Sequence, residues 1–321
     1  MSAVKKAMRD VFIEQIYYKM FENKSLFFLT ADFGSPKLDA LRKDFNDRFV
    51  NVGIAEQNLI NVATGLALEG FIVYAYAIAP FLIMRAYEQI RNNLSLLSHV
   101  HEINVNLIGV GAGLSYDVSG PTHHSLEDIS IIRTLPNLSL ISPSDWILAE
   151  KFVDYSIENK TPKYIRFDGK PLPNIYSETD DIKLNDGFFE LAKGDDVCLV
   201  STGYMTHTAL RVSEKLNREG IHIGVIDVFI IKPMNEALFF DALVKYKYIL
   251  TLEEAFINKG GLDSFVIYIL NRKASDTKIK SKGFKDSYVF DVGSRDYLHK
   301  LNNLDEDSII TEIKEMLGKS I

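Results

Sequence analysis

The chain has 321 residues, of which 47% are hydrophobic and 25% are charged, and its formal net charge at pH 7 is −7. This composition is typical of a globular protein with an ample core, and the length suits two domains of ordinary size. The acidic balance argues against nucleic acid or an anionic membrane as a partner, because both attract clustered Lys and Arg.

Short apolar segments alternate with amphipathic segments along the first part of the chain. The strand-like segments, rich in aromatic and β-branched residues, are 25–32, 49–54, 72–78, 105–111, 138–142 and 163–167. The helix-like segments before and between them are 4–23, 55–69, 80–98, 124–135 and 144–159. Strands interleaved with helices in this way predict βαβ units and a parallel sheet that is covered on both faces.

The pattern breaks after residue 170. Residues 171–185 include two prolines and a cluster of charges, which predicts a linker. Alternation then resumes, with DDVCLVST, IHIGVIDVFI and YILTLEEA as strand-like segments. We therefore predict an α/β fold of two parallel or mixed-sheet domains, over residues 1–170 and 186–321. With no apolar leader and no run of about 18 apolar residues, we expect a cytoplasmic location and no membrane partner.

Three polar features follow strand-like segments of the first domain. Glu56 lies between FVNVG and the helix-like LINVATGLALEG, a glycine-rich turn spans Gly111 to Gly113, and His123 lies in SGPTHHSLED. Open α/β sheets place ligands beyond the carboxyl ends of their strands. The sequence therefore predicts a ligand site at this edge, although it contains no GxGxxG fingerprint, no P-loop and no zinc-type Cys/His spacing.

Several longer stretches carry a family resemblance. They are RFVNVGIAEQNLINVATGLALEG, APFLIMRAYEQIRNN, GAGLSYDVSGPTHHSLEDISIIRTLPNLSLISPSD, VIDVFIIKPMNE and TLEEAFINKGGLDSF. In this order and spacing, the chain resembles the second half of transketolase-type thiamin diphosphate enzymes, from about residue 7 to its C-terminal region. The resemblance implies a pyrimidine-binding domain followed by a transketolase C-terminal domain.

The resemblance also implies roles for individual residues. Glu56 matches the glutamate that hydrogen-bonds N1′ of the cofactor's aminopyrimidine ring and favours the tautomer that removes the thiazolium C2 proton. His123 matches the histidine that handles protons of a sugar hydroxyl or carbonyl group. The other cofactor positions implied by the family are Asp32, Phe81, Met84 and Tyr87.

Each of these residues has a structural alternative. Glu56 can be a helix N-terminal carboxylate that the helix dipole stabilises. Phe81, Met84 and Tyr87, spaced three apart, can be an ordinary core stripe of one amphipathic helix. His123 can be a loop residue that only satisfies local hydrogen bonds.

One family feature is missing from the sequence. Related enzymes hold the diphosphate through Mg²⁺, using a GDG motif followed by an Asn on a separate domain, and no GDG occurs here. The resemblance therefore implies a split transketolase, in which a partner chain carries the GDG half and the Mg²⁺. We expect a heterotetramer with two of each chain, and we expect this chain to be inactive by itself.

The predicted substrate positions depart from the usual pattern. Gly111 stands where ordinary transketolases have a histidine, and Ser119 stands where they have an aspartate. Lys170 is the cation that remains beyond KYIRF, while Arg9 matches a phosphate-facing arginine or is simply exposed. The loss of several charged donors weakens a phosphate site. We therefore expect an altered acceptor, such as an unphosphorylated, deoxy or nucleotide-linked sugar.

Three alternative functions remain at this stage. A 2-oxoacid dehydrogenase E1 β-type subunit shares the two-domain layout but lacks GPTHxSLED. A 1-deoxyxylulose-5-phosphate synthase-like enzyme shares the AGL…GPTH pattern and tolerates Gly111. A non-catalytic regulatory subunit would have no reason to keep Glu56 and His123.

Overall fold

The computed structural model describes residues 4–319. Its strands are β1 (Lys5–Lys6), β2 (Leu26–Thr30), β3 (Phe49–Asn51), β4 (Ile72–Ile78), β5 (Val105–Val110), β6 (Ser139–Ile141), β7 (Lys163–Phe167), β8 (Leu172–Pro173), β9 (Phe188–Ala192), β10 (Val197–Ser201), β11 (Gly224–Val228), β12 (Ile230–Lys232), β13 (Tyr248–Phe256) and β14 (Lys278–Phe284). Its helices are α1 (Met8–Glu22), α2 (Leu38–Asp44), α3 (Glu56–Leu68), α4 (Tyr87–Gln89), α5 (Asp128–Arg133), α6 (Trp146–Glu158), α7 (Tyr204–Arg218), α8 (Glu236–Leu243), α9 (Leu262–Arg272), α10 (Arg295–Leu301) and α11 (Glu306–Met316). Within residues 4–319, no helix has the length and apolar character needed to span a membrane.

The first sheet has seven strands in the order β12-β6-β7-β5-β4-β2-β3. Strands β2 to β7 pair in parallel, and β12 closes one edge antiparallel to β6. The register brings the carboxyl ends of neighbouring strands together, with Thr30 of β2 opposite Asn51 of β3. The loops that leave these strands therefore meet along a single edge of the sheet.

Helices cover both faces of this sheet, because successive strand residues point to opposite sides. On one face, Phe28 and Tyr74 belong to the same buried cluster as Phe12 of α1. On the other face, their strand neighbours Leu29 and Ala75 belong to a second cluster that includes α3. The central strand β5 is buried at every position, as a strand covered on both faces requires.

The second sheet has five strands in the order β14-β13-β10-β11-β9. Its pairings are parallel except for β9, which lies antiparallel to β11. Helices α7 and α11 supply Leu216 and Ile313 to a buried cluster on one side. Helices α8 and α9 bring the stacked rings of Phe239 and Phe265 to the other cluster. The predicted α/β fold class is therefore confirmed.

Two features differ from the sequence-based prediction. The chain after β11 returns to the first sheet as β12, where the Ser142 N–H donates to Phe229 O at 2.8 Å. The segment 80–98, predicted to be one amphipathic helix, is π-helical over Phe81–Arg85 and Ile90–Leu96. Its wider turns use i→i+5 hydrogen bonds, which a pattern of apolar residues does not reveal. The domain limits at residues 170 and 186 stay a prediction.

A buried carboxylate joins the two halves of the chain. Asp227, at the end of β11, accepts hydrogen bonds from Ser144 Oγ at 2.5 Å, Thr206 Oγ1 at 2.7 Å and the Tyr176 hydroxyl at 2.8 Å. Burial raises the pKa of the Asp227 carboxyl to about 6. Ser144 precedes α6, Thr206 lies in α7, and Tyr176 lies in the predicted linker, so the linker is packed rather than free.

Replacing Asp227 with alanine is expected to destabilise the fold. Asp227→Ala leaves three hydroxyl groups in the interior without their acceptor and should lower the free energy of unfolding by about 3 kcal/mol. Urea unfolding followed by circular dichroism measures the change. Asp195→Ala, at an exposed position, is the control and should stay close to wild type. Equal stability of both variants would show that the three-donor site does not join the halves.

His207 gives the fold a defined pH dependence. Its ring Nε2 lies 2.7 Å from Ser144 O, and burial lowers the pKa of this histidine to about 4. The unfolded chain therefore takes up the proton first, so this contribution to stability is complete above the unfolded pKa of about 6.5 and is lost as pH falls towards 4. Between pH 7 and pH 5 the loss should be about 2 kcal/mol.

His207→Gln should remove this component, so urea unfolding at pH 7 and pH 5 should show a smaller difference for the variant. His222→Gln, at an exposed site, serves as the control and should keep the wild-type pH dependence. If His207→Gln and wild type lose the same stability over this range, the buried neutral imidazole is not the cause.

Candidate active site

The first elements of the candidate site lie at the carboxyl ends of β2 and β3. The Asn51 Nδ2 donates to Asp32 Oδ1 at 2.8 Å. The Asn51 Oδ1 accepts from the backbone N–H groups of Asp32 and Gly53. This bonding holds Asp32 at φ +54°, a left-handed conformation that is uncommon outside glycine. Asp32, predicted to lie near the cofactor, is thus fixed at the edge of the sheet where the predicted site lies.

Glu56 is the first residue of α3, and only 2% of it is exposed. Its Oε2 accepts from Arg85 Nη1 at 2.6 Å, whereas the Arg85 side chain is 51% exposed. The position at a helix N-terminus favours negative charge. The carboxylate is therefore buried as the sequence predicted, and its partner is a cation that reaches in from the surface.

A row of rings continues from this ion pair. The Arg85 guanidinium lies 6.0 Å from the centre of the Phe81 ring, and the His123 ring meets Phe81 edge-on at 5.1 Å between centroids. The Tyr116 ring also meets His123 edge-on, at 6.3 Å between centroids. The structure thus brings together Glu56, Phe81 and His123, three of the residues singled out from the sequence.

The π-helical turns separate the residues that were predicted to share a helix face with Phe81. Met84 is 42% exposed and lines a cavity of about 320 Å³ with His124 and Tyr288. The Tyr87 hydroxyl instead donates to Ile131 O at 3.0 Å. The prediction of one regular helix face is wrong here, because i and i+3 do not align on i→i+5 turns. Whether Met84 and Tyr87 contact the cofactor stays a prediction.

The loop from Gly111 to Ser125, called the His123 loop below, follows β5. Gly111 has φ +109°, and a Cβ at this position would overlap the Tyr116 ring, so glycine is required by both conformation and space. Burial raises the pKa of the Tyr116 phenol. The Tyr116 ring, which belongs to the same loop, thus fills the space next to Gly111.

The remaining predicted substrate residues occupy different settings. Ser119 is exposed on the His123 loop. The Arg9 side chain is only 20% exposed, with Nε 3.2 Å from Asp10 Oδ1, so the exposed alternative is not what the structure shows. Lys170 forms an ion pair with Asp117 Oδ2. The positive charge that was predicted to face a phosphate is therefore paired within the chain. The substrate roles of these three residues stay predictions.

Sequence reasoning missed Arg85, Asn51 and Tyr116. Arg85 is the one cation in PFLIMRAY, and a charge inside an apolar run is a signal that it pairs with something buried. Asn51 is a polar residue at the carboxyl end of a strand, and that position is a signal as well. Tyr116 had no signal, because only the backbone conformation at Gly111 shows where the ring goes.

The site residues suit a cofactor ring that carries a basic nitrogen. The Glu56 carboxylate is buried, yet the group bonded to it is a half-exposed guanidinium that water can solvate when it moves away. Phe81 supplies an aromatic surface beside it. Among residues 4–319, no group of three or more His, Cys, Asp and Glu side chains is placed to hold a metal ion.

Gly111→Ala is expected to destabilise the His123 loop. The new Cβ meets the Tyr116 ring, and overpacking of this kind costs about 2 kcal/mol beyond the backbone strain. Gly70→Ala is the control, since Gly70 also has positive φ, at +87°, but has open space around it. Urea unfolding should give a larger loss for Gly111→Ala than for Gly70→Ala. Combining Gly111→Ala with Tyr116→Ala should cost less than the sum of the two.

Comparisons with known proteins identify the family of this chain. The family described as "Transketolase, pyrimidine binding domain" matches residues 4–173, and "Transketolase, C-terminal domain" matches residues 190–309. One subunit of the apulose-4-phosphate transketolase of Actinobacillus succinogenes is 36% identical over 85% of this chain and 86% of its own length. The putative transketolase C-terminal section of Methanocaldococcus jannaschii is 32% identical over 99% of both chains.

A solved structure described as a split gene transketolase, an inactive beta4 tetramer, has a TM-score of 0.85 and 29% identity, over 96% of this chain and 97% of that one. The family matches span both sheets, and the M. jannaschii relative aligns along nearly the whole chain. The sequence-based resemblance is therefore confirmed: the chain belongs to the transketolase family, with a pyrimidine-binding domain followed by a C-terminal domain.

Proposed function

We propose that this chain is one subunit of a heteromeric, thiamin diphosphate-dependent transketolase that transfers a two-carbon ketol unit between sugars. The observation that carries the proposal is the buried Glu56 carboxylate, held by a half-exposed Arg85 beside the Phe81 ring. A buried acid with a displaceable partner next to an aromatic surface suits proton sharing with a ring nitrogen.

Each residue of the row has a task in this proposal. Thiamin diphosphate, when bound, supplies the carbanion-stabilising chemistry of ketol transfer. Glu56 holds a proton against the N1′ position once Arg85 releases its Oε2, and Phe81 packs against the ring. His123, next to Phe81, passes protons to and from a substrate hydroxyl or carbonyl group.

We also propose that a partner chain supplies the diphosphate half of the site and the Mg²⁺. The sequence has no GDG motif. The A. succinogenes relative is named as one subunit of its enzyme, and the similar solved structure of one chain type is described as inactive. By analogy, this chain alone self-associates without activity and becomes active in a heterotetramer with the partner.

The acceptor is proposed to be non-standard. The cations singled out for an anionic substrate group, or lying next to them, are already paired within the chain: Arg166 with Asp128, Lys170 with Asp117, and Arg9 with Asp10. The A. succinogenes relative is named for apulose 4-phosphate. Sugar phosphates and unphosphorylated sugars therefore belong in the same substrate panel. Ordinary efficiency with xylulose 5-phosphate and ribose 5-phosphate would overturn the non-standard acceptor.

Glu56→Gln should abolish most of the activity of the assembled enzyme. Proton transfer by a positioned side chain contributes about 10²- to 10⁴-fold, so kcat should fall by about that factor. Glu69→Gln, at the exposed opposite end of the same helix, is the matched control and should keep wild-type kcat. Ketol transfer is measured with thiamin diphosphate and Mg²⁺ after co-purification of the tagged chain with its GDG-containing partner.

Other outcomes decide between the alternatives. A chain that always purifies alone, with no activity restored by any GDG-containing candidate, favours a non-catalytic subunit. Decarboxylation of pyruvate in place of ketol transfer favours the 1-deoxyxylulose-5-phosphate synthase-like activity. Equal kcat for Glu56→Gln and wild type would contradict the assigned role of the carboxylate.

A further inference from the structure

The His123 loop is closed at its neck by two backbone hydrogen bonds. The Gly113 N–H donates to Ser125 O at 3.2 Å, and the Ser125 N–H donates to Gly113 O at 2.9 Å. Just beyond the neck, the Phe256 N–H at the end of β13 donates to Leu126 O at 3.1 Å. The C-terminal end of the loop that carries His123 is thus bonded to a strand of the second sheet.

Glu254, on the same strand, packs directly against this neck. Its Oε2 accepts from the Leu114 N–H at 3.3 Å, and a Cβ on Gly113 would overlap the Glu254 side chain. Glu254 is held in turn by Arg295, which donates from Nε to Oε1 at 2.7 Å and from Nη2 to Oε2. His299 Nε2 lies 2.6 Å from Oε1 as well. The neck is therefore in contact with the Glu254 carboxylate, whose rotamer is fixed by Arg295 and His299.

Arg295 also reaches the middle of the loop. Its backbone N–H donates to Asp117 Oδ2 at 2.8 Å, and its Nη1 donates to Asp168 Oδ2 at 2.6 Å, just after β7. Lys170 Nζ donates to the same oxygen of Asp117. Burial alone would raise the pKa of Glu254, but the Arg295 guanidinium holds it well below its usual range, so the cluster stays charged.

The outer side of the loop has no comparable support within the described chain. Val118 is 67% exposed, and Ser119 next to it is exposed too. Two residues before the neck, the Nδ1 of His123 is 3.1 Å from Thr122 Oγ1, a local contact within the loop. The loop's position is therefore set by its contacts with Glu254 and Arg295.

We infer that Glu254 and Arg295 are positioning residues, through which the C-terminal part of the chain keeps His123 beside Phe81 at the edge of the cofactor site. The consequence for catalysis rests on the proposed function of His123. The anchoring itself is a property of the isolated chain and is testable without any partner.

Glu253 provides a matched control one residue away. It is as buried as Glu254, but its two oxygens accept from the Leu262 and Asp263 N–H groups, each at 2.8 Å, at the start of α9. Glu253→Gln and Glu254→Gln therefore replace two equally buried carboxyl groups of the same strand, although burial raises the pKa of Glu253 to about 8 whereas Glu254 stays charged. Only the second change touches the His123 loop.

Hydrogen–deuterium exchange of the isolated chain tests the anchoring. In Glu254→Gln, the amides of residues 113–125 should exchange about 10-fold faster than in wild type, while the first turn of α9 keeps its protection. Glu253→Gln should give the opposite pattern. Unchanged exchange over residues 113–125 in folded Glu254→Gln would overturn the inference.

Lys170→Gln keeps the test decisive if Glu254→Gln does not fold. The Lys170 side chain is 46% exposed, so this change leaves the core intact while it removes the ion pair between Lys170 and Asp117. Exchange over residues 113–125 should rise by about 3-fold. Lys160→Gln, which removes an exposed ion pair with Glu102, should leave it unchanged. Equal exchange in the two lysine variants would overturn the inference.

Kinetics of the assembled enzyme test the consequence for His123. Glu254→Gln should lower kcat/KM for the sugar by about 10-fold with an unchanged Kd for thiamin diphosphate, because Glu56 and Phe81 lie outside the loop. Glu253→Gln should change neither quantity. Equal losses of kcat/KM in both variants would overturn the positioning role. If the wild-type assembly is inactive, the proposed function fails, and the exchange experiment still decides the anchoring.

Discussion

The buried ion pair between Glu254 and Arg295 constrains the contact between the second sheet and the loops that follow β5 and β7. Removing two charges from water costs several kcal/mol for each ion, and attraction offsets this cost only when the remaining donors and acceptors are also bonded. That condition is met here, because Arg295 also bonds Asp168, and Glu254 also bonds His299 and the Leu114 N–H. Neither sheet can shift along the other without leaving a charge unpaired in the interior.

The parallel register of the first sheet explains why the site residues converge although they are far apart in sequence. Asp32 and Asn51 end neighbouring strands and bond to each other, and Glu56 follows three residues after Gly53 at the start of a helix. The glycine-rich turn at Gly111 leaves a strand of the same sheet. Each feature carries little information alone, and the common edge brings them together as a candidate site.

The sequence predicted those elements whose signal is local. The strands from 25–32 to 163–167, the burial of Glu56 and the two-sheet α/β class follow from periodicity and strand ends. The rest depended on tertiary contacts: the π-helical turns around Phe81, the pairing of Lys170 with Asp117, and the return of β12 to the first sheet. Residues such as Arg295 and Glu254 lie 41 positions apart, and no local pattern shows that they bond.

The ion pair at Glu56 is asymmetric, and this asymmetry suits the proposed site, which a partner chain completes. A carboxylate with 3% side-chain exposure needs a counter-charge in the free subunit, whereas Arg85, 51% exposed, regains water when it lets go. The exposed member of the pair is therefore the arginine, whereas the acid is buried at the start of α3. The asymmetry thus suits the proposed half-site, because the buried carboxylate is paired within the chain and its partner is open to solvent.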